Sequence, residues 1–250
     1  MEPLAPVAVV IPTYNEAATI GQVVREIPRM VARDVIVADG SSSDGTSEIA
    51  AAAGARVVTP GRSGYGQACA GGAGAAPEDC AILVFMDGDG ADRGDLMAAL
   101  VNPIRAGTHD FVIATRTQGG CEPGAMSWHQ VLAGRLAGLG ISILYGVRFT
   151  DMCAYRAIRR DCLRDMAMRE MTYGWNIEMQ MKAARAGLRI LEVPLPYRRR
   201  QGGESKVAGS FRGSLRAACR IIATFIRVAT VARSEATRRY DPPAVSSIRR

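Results

Sequence analysis

Two histidines, six cysteines and an aromatic content of 6% in 250 residues remove several functional classes at once. Cys69, Cys80, Cys121, Cys153, Cys162 and Cys219 form no CxxC pair and have no histidine close in sequence. Zinc and dithiol redox sites are therefore disfavoured, and reduced thiols are expected. No apolar run reaches the roughly 18 residues of a membrane-crossing helix. Met1-Glu2-Pro3 leads directly towards a strand, without a charged and apolar leader, so a cytoplasmic protein is expected. Acidic residues are scarce only at the end: residues 197–250 hold 13 basic and three acidic side chains, against 18 and 21 in residues 1–196. The formal charge of +7 is thus a local feature, suited to phosphate or an anionic surface. What remains is 48% hydrophobic with 27 glycines, enough for one core.

The organising stretch is Ile82-Leu83-Val84-Phe85-Met86 followed by Asp87-Gly88-Asp89. Five apolar residues without alternation read as a strand covered on both faces, and its carboxyl end is where open α/β sheets bind ligands. With no side chain at Gly88, both carboxylates can face one hard cation that keeps positions open for phosphate oxygens. Taken alone, the triplet fits an Asp-Gly turn equally well.

Other strand and loop units repeat this arrangement. Val7–Ile11 is closed by Pro12 and leads through Thr13, Tyr14, Asn15 and Glu16 into a helix expected over about 17–30. Thr13 or Asn15 reads either as a helix cap or as part of a site. Val35–Ala38 ends in Asp39-Gly40-Ser41-Ser42-Ser43-Asp44-Gly45-Thr46, a carboxylate and hydroxyl turn that lacks the GxGxxG helix opening. Arg56–Val58 is followed by a turn containing Arg62, Gly64 and Gly66, read as a nucleotide-approach loop or a simple surface turn. A helix over 96–106 and a strand at Phe111–Ala114 place Thr115-Arg116 at a further strand end.

These pieces, together with Arg200-Gln201-Gly202-Gly203-Glu204-Ser205-Lys206, resemble family 2 glycosyltransferases of the GT-A fold, and within them the dolichyl- or polyprenyl-phosphate sugar synthases. The resemblance spans residues 7 to about 210. It implies an α/β domain over 1–210 with a mostly parallel central sheet flanked by helices, an amphipathic helix over 211–233 and a basic tail over 234–250. It also implies that Pro12, Tyr14, Asn15, Glu16, Asp39, Arg62 and Gly64 line the nucleotide-sugar site, with Asp39 reading the base. Asp87 and Asp89 would hold Mg²⁺ or Mn²⁺ against the donor diphosphate. The chain departs from the branch at Gly40, where relatives often carry a second Asp, and at Ala91, where a glutamine ligand is common; either Asp92 or water would then complete the coordination, or the chain belongs to a different subgroup.

The acceptor side is less regular. His129 opens an apolar helix whose residues 136–147 are too short to cross a bilayer and could cover the sheet or rest on a membrane. An edge strand is expected at Met152–Arg156, with Asp151 and Arg156 on the acceptor side as the resemblance implies. Glu178 pairs with Lys182 at i,i+4, while the resemblance places a glutamate here near the sugar or acceptor. A hydroxyl acceptor needs a base, whereas a phosphate acceptor is already anionic and needs cations to position it. Arg116, Arg135, Arg198, Arg200 and Lys206 fit the second demand. The resemblance therefore points to inverting hexose transfer to polyprenyl or dolichyl phosphate, with Asp87, Asp89, Arg116, Asp151, Glu178, Arg200 and Lys206 as the catalytic set. A soluble acceptor and a non-catalytic binding module are the alternatives, and the acidic loops disfavour nucleic acid. At about 100° per residue, Arg212, Arg216, Arg220 and Arg227 share a sector of about 80° opposite Phe211, Leu215, Ile222, Phe225 and Ile226. That helix suits the cytoplasmic face of a membrane, the catalytic core or a second subunit.

Overall fold

A computed structural model describes residues 4–61, 64–203 and 211–230, with the side chains of the last helix described from 215 onward. Arg62 and Lys206, both expected at the site, lie outside the described residues. Seven strands form one sheet: β1 (Val7–Thr13), β2 (Asp34–Asp39), β3 (Arg56–Val58), β4 (Ile82–Phe85), β5 (Phe111–Thr115), β6 (Arg156–Arg159) and β7 (Ile190–Pro194). Their order is β3-β2-β1-β4-β6-β5-β7. Only β6 runs against its neighbours. β1, β4 and β5 are buried along their whole length, as unalternating apolar runs require when helices cover both faces.

The expected edge strand at Met152–Arg156 is corrected in both position and environment. The strand begins at Arg156, because only there does the chain meet ladder partners on both sides, Phe85 of β4 and Ile113 of β5. It is an interior strand, and Met152–Tyr155 is the irregular approach to it. Arg156 is fully buried, where it donates to the carbonyls of Ala154 and Cys153.

The covering helices are α1 (Ile20–Glu26), α2 (Thr46–Ala52), α3 (Tyr65–Gly74), α4 (Ala98–Arg105), α5 (Trp128–Tyr145), α6 (Arg160–Asp165), α7 (Trp175–Arg185) and α8 (Phe211–Thr230). α1 is shorter than the sequence pattern implies, since Ile27, just before Pro28, is already extended. α5 is framed by its caps: Ser127 and Gln130 form a capping box at its start, and Gly146 ends it in the left-handed conformation. Among the described residues no helix is long and apolar enough to cross a membrane.

Strand order locates the cleft. β2 and β3 are added on one side of β1 and β4 on the other, so the loops leaving β1 and β4 diverge at their carboxyl ends. This is the topological switch point at which α/β sheets take ligands.

Candidate active site

The loops after β1 and β2 are joined edge to edge. The Asn15 amide donates to Ser42 Oγ (2.8 Å), the Ser43 amide to Asn15 Oδ1 (2.9 Å), the Glu16 amide to Thr46 Oγ1 (2.9 Å) and the Ala17 amide to Asp44 Oδ2 (3.0 Å). Asn15 and Ser41 sit at φ of 52° and 68°, a region that non-glycine residues enter only when their surroundings hold them there. Asp39 is buried at the end of β2 and accepts hydrogen bonds from Thr13 Oγ1 (3.2 Å), the Ser42 amide (3.0 Å) and Ser47 Oγ (2.8 Å). Its carboxylate thus fixes the walls of the pocket. Pro12 lies within β1, while Tyr14 is half exposed beside Gly40 at the rim.

Thr13 also connects this pocket to the acidic loop. A Cβ on Gly88 would come within 2.9 Å of Thr13 Cγ2, so glycine is what lets the Asp87-Gly88-Asp89 loop lie against β1. Thr19 Oγ1 donates to the Gly88 carbonyl at 2.7 Å. Asp87 accepts from Tyr65 Oη (3.3 Å), and the Asp87 amide donates to Asp92 Oδ2 (3.1 Å). Burial and the neighbouring Asp89 charge push the Asp87 carboxyl up, to about 6. Burial followed by the charges of Asp87 and Asp89 likewise raises Asp92. This crowding of carboxylates is relieved by a cation, and the donor set fits a hard divalent ion. Among the described residues no group of three or more Cys, His, Asp or Glu is arranged to hold an ion.

A strap over 198–201 closes over the acidic loop. The Arg198 amide donates to the Ala91 carbonyl and the Gln201 amide to the Asp89 carbonyl, both at 3.0 Å. Arg200 bridges two loops, 2.9 Å from Glu16 Oε2 and 3.3 Å from Asp89 Oδ2. Arg198 pairs instead with Glu26 at 2.8 Å.

At the end of β5 the structure joins two candidates separately named from the sequence. Arg116 grips Asp151 with two parallel hydrogen bonds, Nε to Oδ2 at 2.6 Å and Nη2 to Oδ1 at 2.7 Å, and lies over the Tyr197 ring at 5.2 Å. Asp151 also accepts from the amides of Arg116 and Met152. Burial alone would raise this carboxyl, but the Arg116 contact outweighs it and holds Asp151 below the usual range. Glu178 is buried behind the cleft, taking the amides of Arg169 and Glu170 on Oε2 and Lys182 at 3.1 Å on Oε1. His129 is exposed and bonds Ser127. Gly64 and Gly66 serve chain against chain: a Cβ on either would lie 2.5 Å from a carbonyl of the 170–171 segment, and the Gln67 amide donates to Met171 at 2.9 Å.

Glu170 carries a role that the sequence did not single out. It is buried and accepts from Thr224 Oγ1 (3.0 Å), Arg220 Nε (3.2 Å) and Arg227 Nη2 (3.3 Å), docking α8 beside α7. Two arginines of the expected membrane-facing stripe are therefore turned to a carboxylate of the core. A Glu170→Ala variant leaves the buried Thr224 hydroxyl without an acceptor. It is expected to lose about 1–3 kcal/mol, the exposed arginines adding little, which lowers Tm by several degrees. A melt that coincides with wild type would show that α8 is held by its apolar contacts alone.

A cavity of about 630 Å³ opens at the opposite end of the sheet, lined by Ala5, Ile82, Arg105, Arg159, Arg160 and Arg189. It contains none of the candidate site residues, and Arg159 and Arg189 are already paired with Asp110.

The family model described as "Glycosyl transferase family 2" matches residues 8–167. Glycosyltransferase AglJ of Haloferax volcanii is 33% identical over 79% of this chain, which spans 64% of that protein. The undecaprenyl-phosphate mannosyltransferase of Micrococcus luteus is 32% identical over 83% of this chain and 89% of its own length. Among solved structures, glucosyl-3-phosphoglycerate synthase from Mycobacterium tuberculosis, in complex with Mn²⁺, UDP-glucose and phosphoglyceric acid, aligns over 92% of this chain and 82% of its own. Its TM-score is 0.70 at 23% identity, a likeness of fold. With a seven-stranded sheet of this order, an Asp-Gly-Asp loop at its switch point and relatives above 30% identity, the chain belongs to glycosyl transferase family 2.

Proposed function

We propose that the protein transfers a hexose, with inversion, from a nucleoside-diphosphate sugar to the phosphate of a polyprenyl or dolichyl lipid. Asp87 and Asp89 hold the divalent ion, Mg²⁺ or Mn²⁺, which stabilises the charge that grows on the departing diphosphate. The joined loops of Asn15 and Ser42, fixed by Asp39, hold the nucleoside. Arg200 keeps Glu16 and Asp89 in register and brings positive charge to the cleft for an incoming phosphate; Lys206, outside the described residues, is assigned the same role from the sequence alone. The acceptor oxygen forms its bond to the anomeric carbon from the face opposite the breaking bond to diphosphate. An α-linked donor thereby gives a β-linked product.

The observation that carries the phosphate-acceptor reading is the state of two carboxylates that could otherwise act as a base. Asp151 is consumed by Arg116, and Glu178 by Lys182 and two amides. A phosphate oxygen is anionic at neutral pH and needs positioning without deprotonation. The mannosyltransferase relative, which is named for undecaprenyl phosphate, supports the same reading.

The test offers one radiolabelled nucleotide sugar with polyprenyl phosphate, the matching polyprenol and a soluble sugar, in detergent with Mn²⁺ or Mg²⁺. Transfer to polyprenyl phosphate, with polyprenol at least about a hundredfold poorer, is expected, since the alcohol lacks both the charge and a base to activate it. Equal transfer to both lipids, or transfer only to the soluble sugar, would discard the lipid-phosphate acceptor.

A further inference from the structure

The cavity of about 630 Å³ at the far end of the sheet takes no part in the proposed reaction, yet its lining is strongly charged. Five arginines, Arg105, Arg159, Arg160, Arg164 and Arg189, line it against two carboxylates, Glu78 and Asp161. They arrive from the last turn of α4, the end of β6, α6 and the residue before β7. Main-chain bonds join these pieces into one floor. The Asp110 amide donates to the Arg189 carbonyl (2.9 Å), the Arg159 amide to Asp110 (3.0 Å), the Arg160 amide to Ala81 (2.9 Å) and the Ala81 amide to Pro6 (3.0 Å). Arg105 closes the row through the carbonyls of Ala5 (3.3 Å) and Val31 (2.9 Å). The backbone that carries the arginines is therefore fixed by the sheet.

The five cations are unequally neutralised. Arg159 and Arg189 share the buried Asp110, and Arg159 also takes Asp161. Arg105 and Arg160 have no carboxylate partner among the described residues; Arg160 donates to the carbonyls of Ala76 and Pro77. Such bonds hold a guanidinium in place without cancelling its charge. Burial lowers Arg105 from its usual value, and no carboxylate offsets that cost. No bond to a described residue engages Arg105 Nη1 or Arg160 Nε, which leaves both N–H groups for a ligand.

We propose that this cavity is a second anion site, taking a small molecule that carries two or more phosphate charges. Its volume lies in the range of small-ligand pockets, and a concave wall suits such a molecule better than the face of a macromolecule. The guanidiniums come from separate elements and approach from several directions. A tetrahedral phosphate, whose oxygens point apart, can meet them together, whereas a planar carboxylate presents its two oxygens in one plane. Arg105 and Arg160 supply the charge that the protein leaves unbalanced, and Arg164, paired only with the exposed Asp165, adds to it at the rim.

The experiment is calorimetric titration of the purified full chain with inorganic pyrophosphate, and separately with citrate, in metal-free buffer. No sugar transfer is measured, so the result is independent of the function proposed above. Wild type is expected to bind pyrophosphate and to prefer it to citrate. Ala81→Glu sets a carboxylate among the arginines and is expected to weaken pyrophosphate binding by about tenfold or more. Glu78→Gln removes a competing charge and should tighten binding by about threefold, while Arg164→Gln should weaken it by a similar factor. Ala81, Glu78 and Arg164 are exposed, so circular dichroism should match wild type in all three variants. Three results would overturn the proposal: no heat of binding with wild type, Ala81→Glu binding pyrophosphate as tightly as wild type so that the anion sits elsewhere, or citrate binding as tightly as pyrophosphate.

Discussion

Asp87→Asn and Asp89→Asn are each expected to lower kcat by about a thousandfold, the equivalent of roughly 4 kcal/mol of transition-state stabilisation. In the proposed reaction the diphosphate leaves with growing negative charge in a loop already crowded with carboxylates, so weakening the ion would remove what balances that charge. The stability of the Asp87→Asn variant should move the other way. Burial and Asp89 disfavour the ionised form of Asp87, so an uncharged amide relieves repulsion in the metal-free protein. A melt of Asp87→Asn at neutral pH should therefore show Tm unchanged or raised, while Mn²⁺ with nucleotide stabilises wild type and not the variants. Initial rates with chelator and with metal added back complete the comparison. Wild-type rates in both variants in the presence of chelator would remove the ion from the mechanism.

Arg116→Ala is expected to be the most destabilising replacement at the site. Asp151 is 1% exposed on its side chain and keeps its charge through the two-point contact with Arg116. Deleting that cation leaves a buried carboxylate whose remaining partners are backbone amides, at a cost of about 3–5 kcal/mol. The pH dependence follows from the direction of the shift. Asp151 titrates lower in the folded protein, so the pair stabilises above the unfolded carboxyl's range near 3.9, and that contribution is lost as pH falls through the folded value. The gap between variant and wild type in urea unfolding should then be at its full size from pH 7 to about 4 and narrow below that. Arg116→Lys should recover only part of it, since an ammonium cannot make the parallel contact. A gap below about 1 kcal/mol, or one independent of pH, would show that Asp151 is not held charged by Arg116.

The local pattern of the chain determined most of the scaffold. Uninterrupted apolar runs at β1, β2, β4 and β5 can only be strands buried on both faces, and each hands its polar residues to a carboxyl-terminal loop. This alone places Asn15, Asp39 and the Asp87-Gly88-Asp89 loop at strand ends. The same local logic failed for Met152–Arg156, where apolar character continues through an irregular segment and the strand starts only at the ladder partners of Arg156.

Only the tertiary structure decided what the charged groups do. Arg116 and Asp151 are 35 residues apart, Arg200 and Glu16 are 184 apart, and Arg227 meets Glu170 across 57. Strand order and helix docking set each of these meetings, and neither leaves a trace in local periodicity. The arginine stripe of α8 is legible as a pattern, but its partner is not. A stripe of cations looks the same in sequence whether it faces lipid or one buried carboxylate, and the docking of α8 turns Arg220 and Arg227 to Glu170 while leaving Leu215, Ile222 and Ile226 outside. Sequence determined which residues reach the ends of strands; the geometry of the sheet determined which of them neutralise one another, because Coulomb attraction depends on distance in space and local pattern records only distance along the chain.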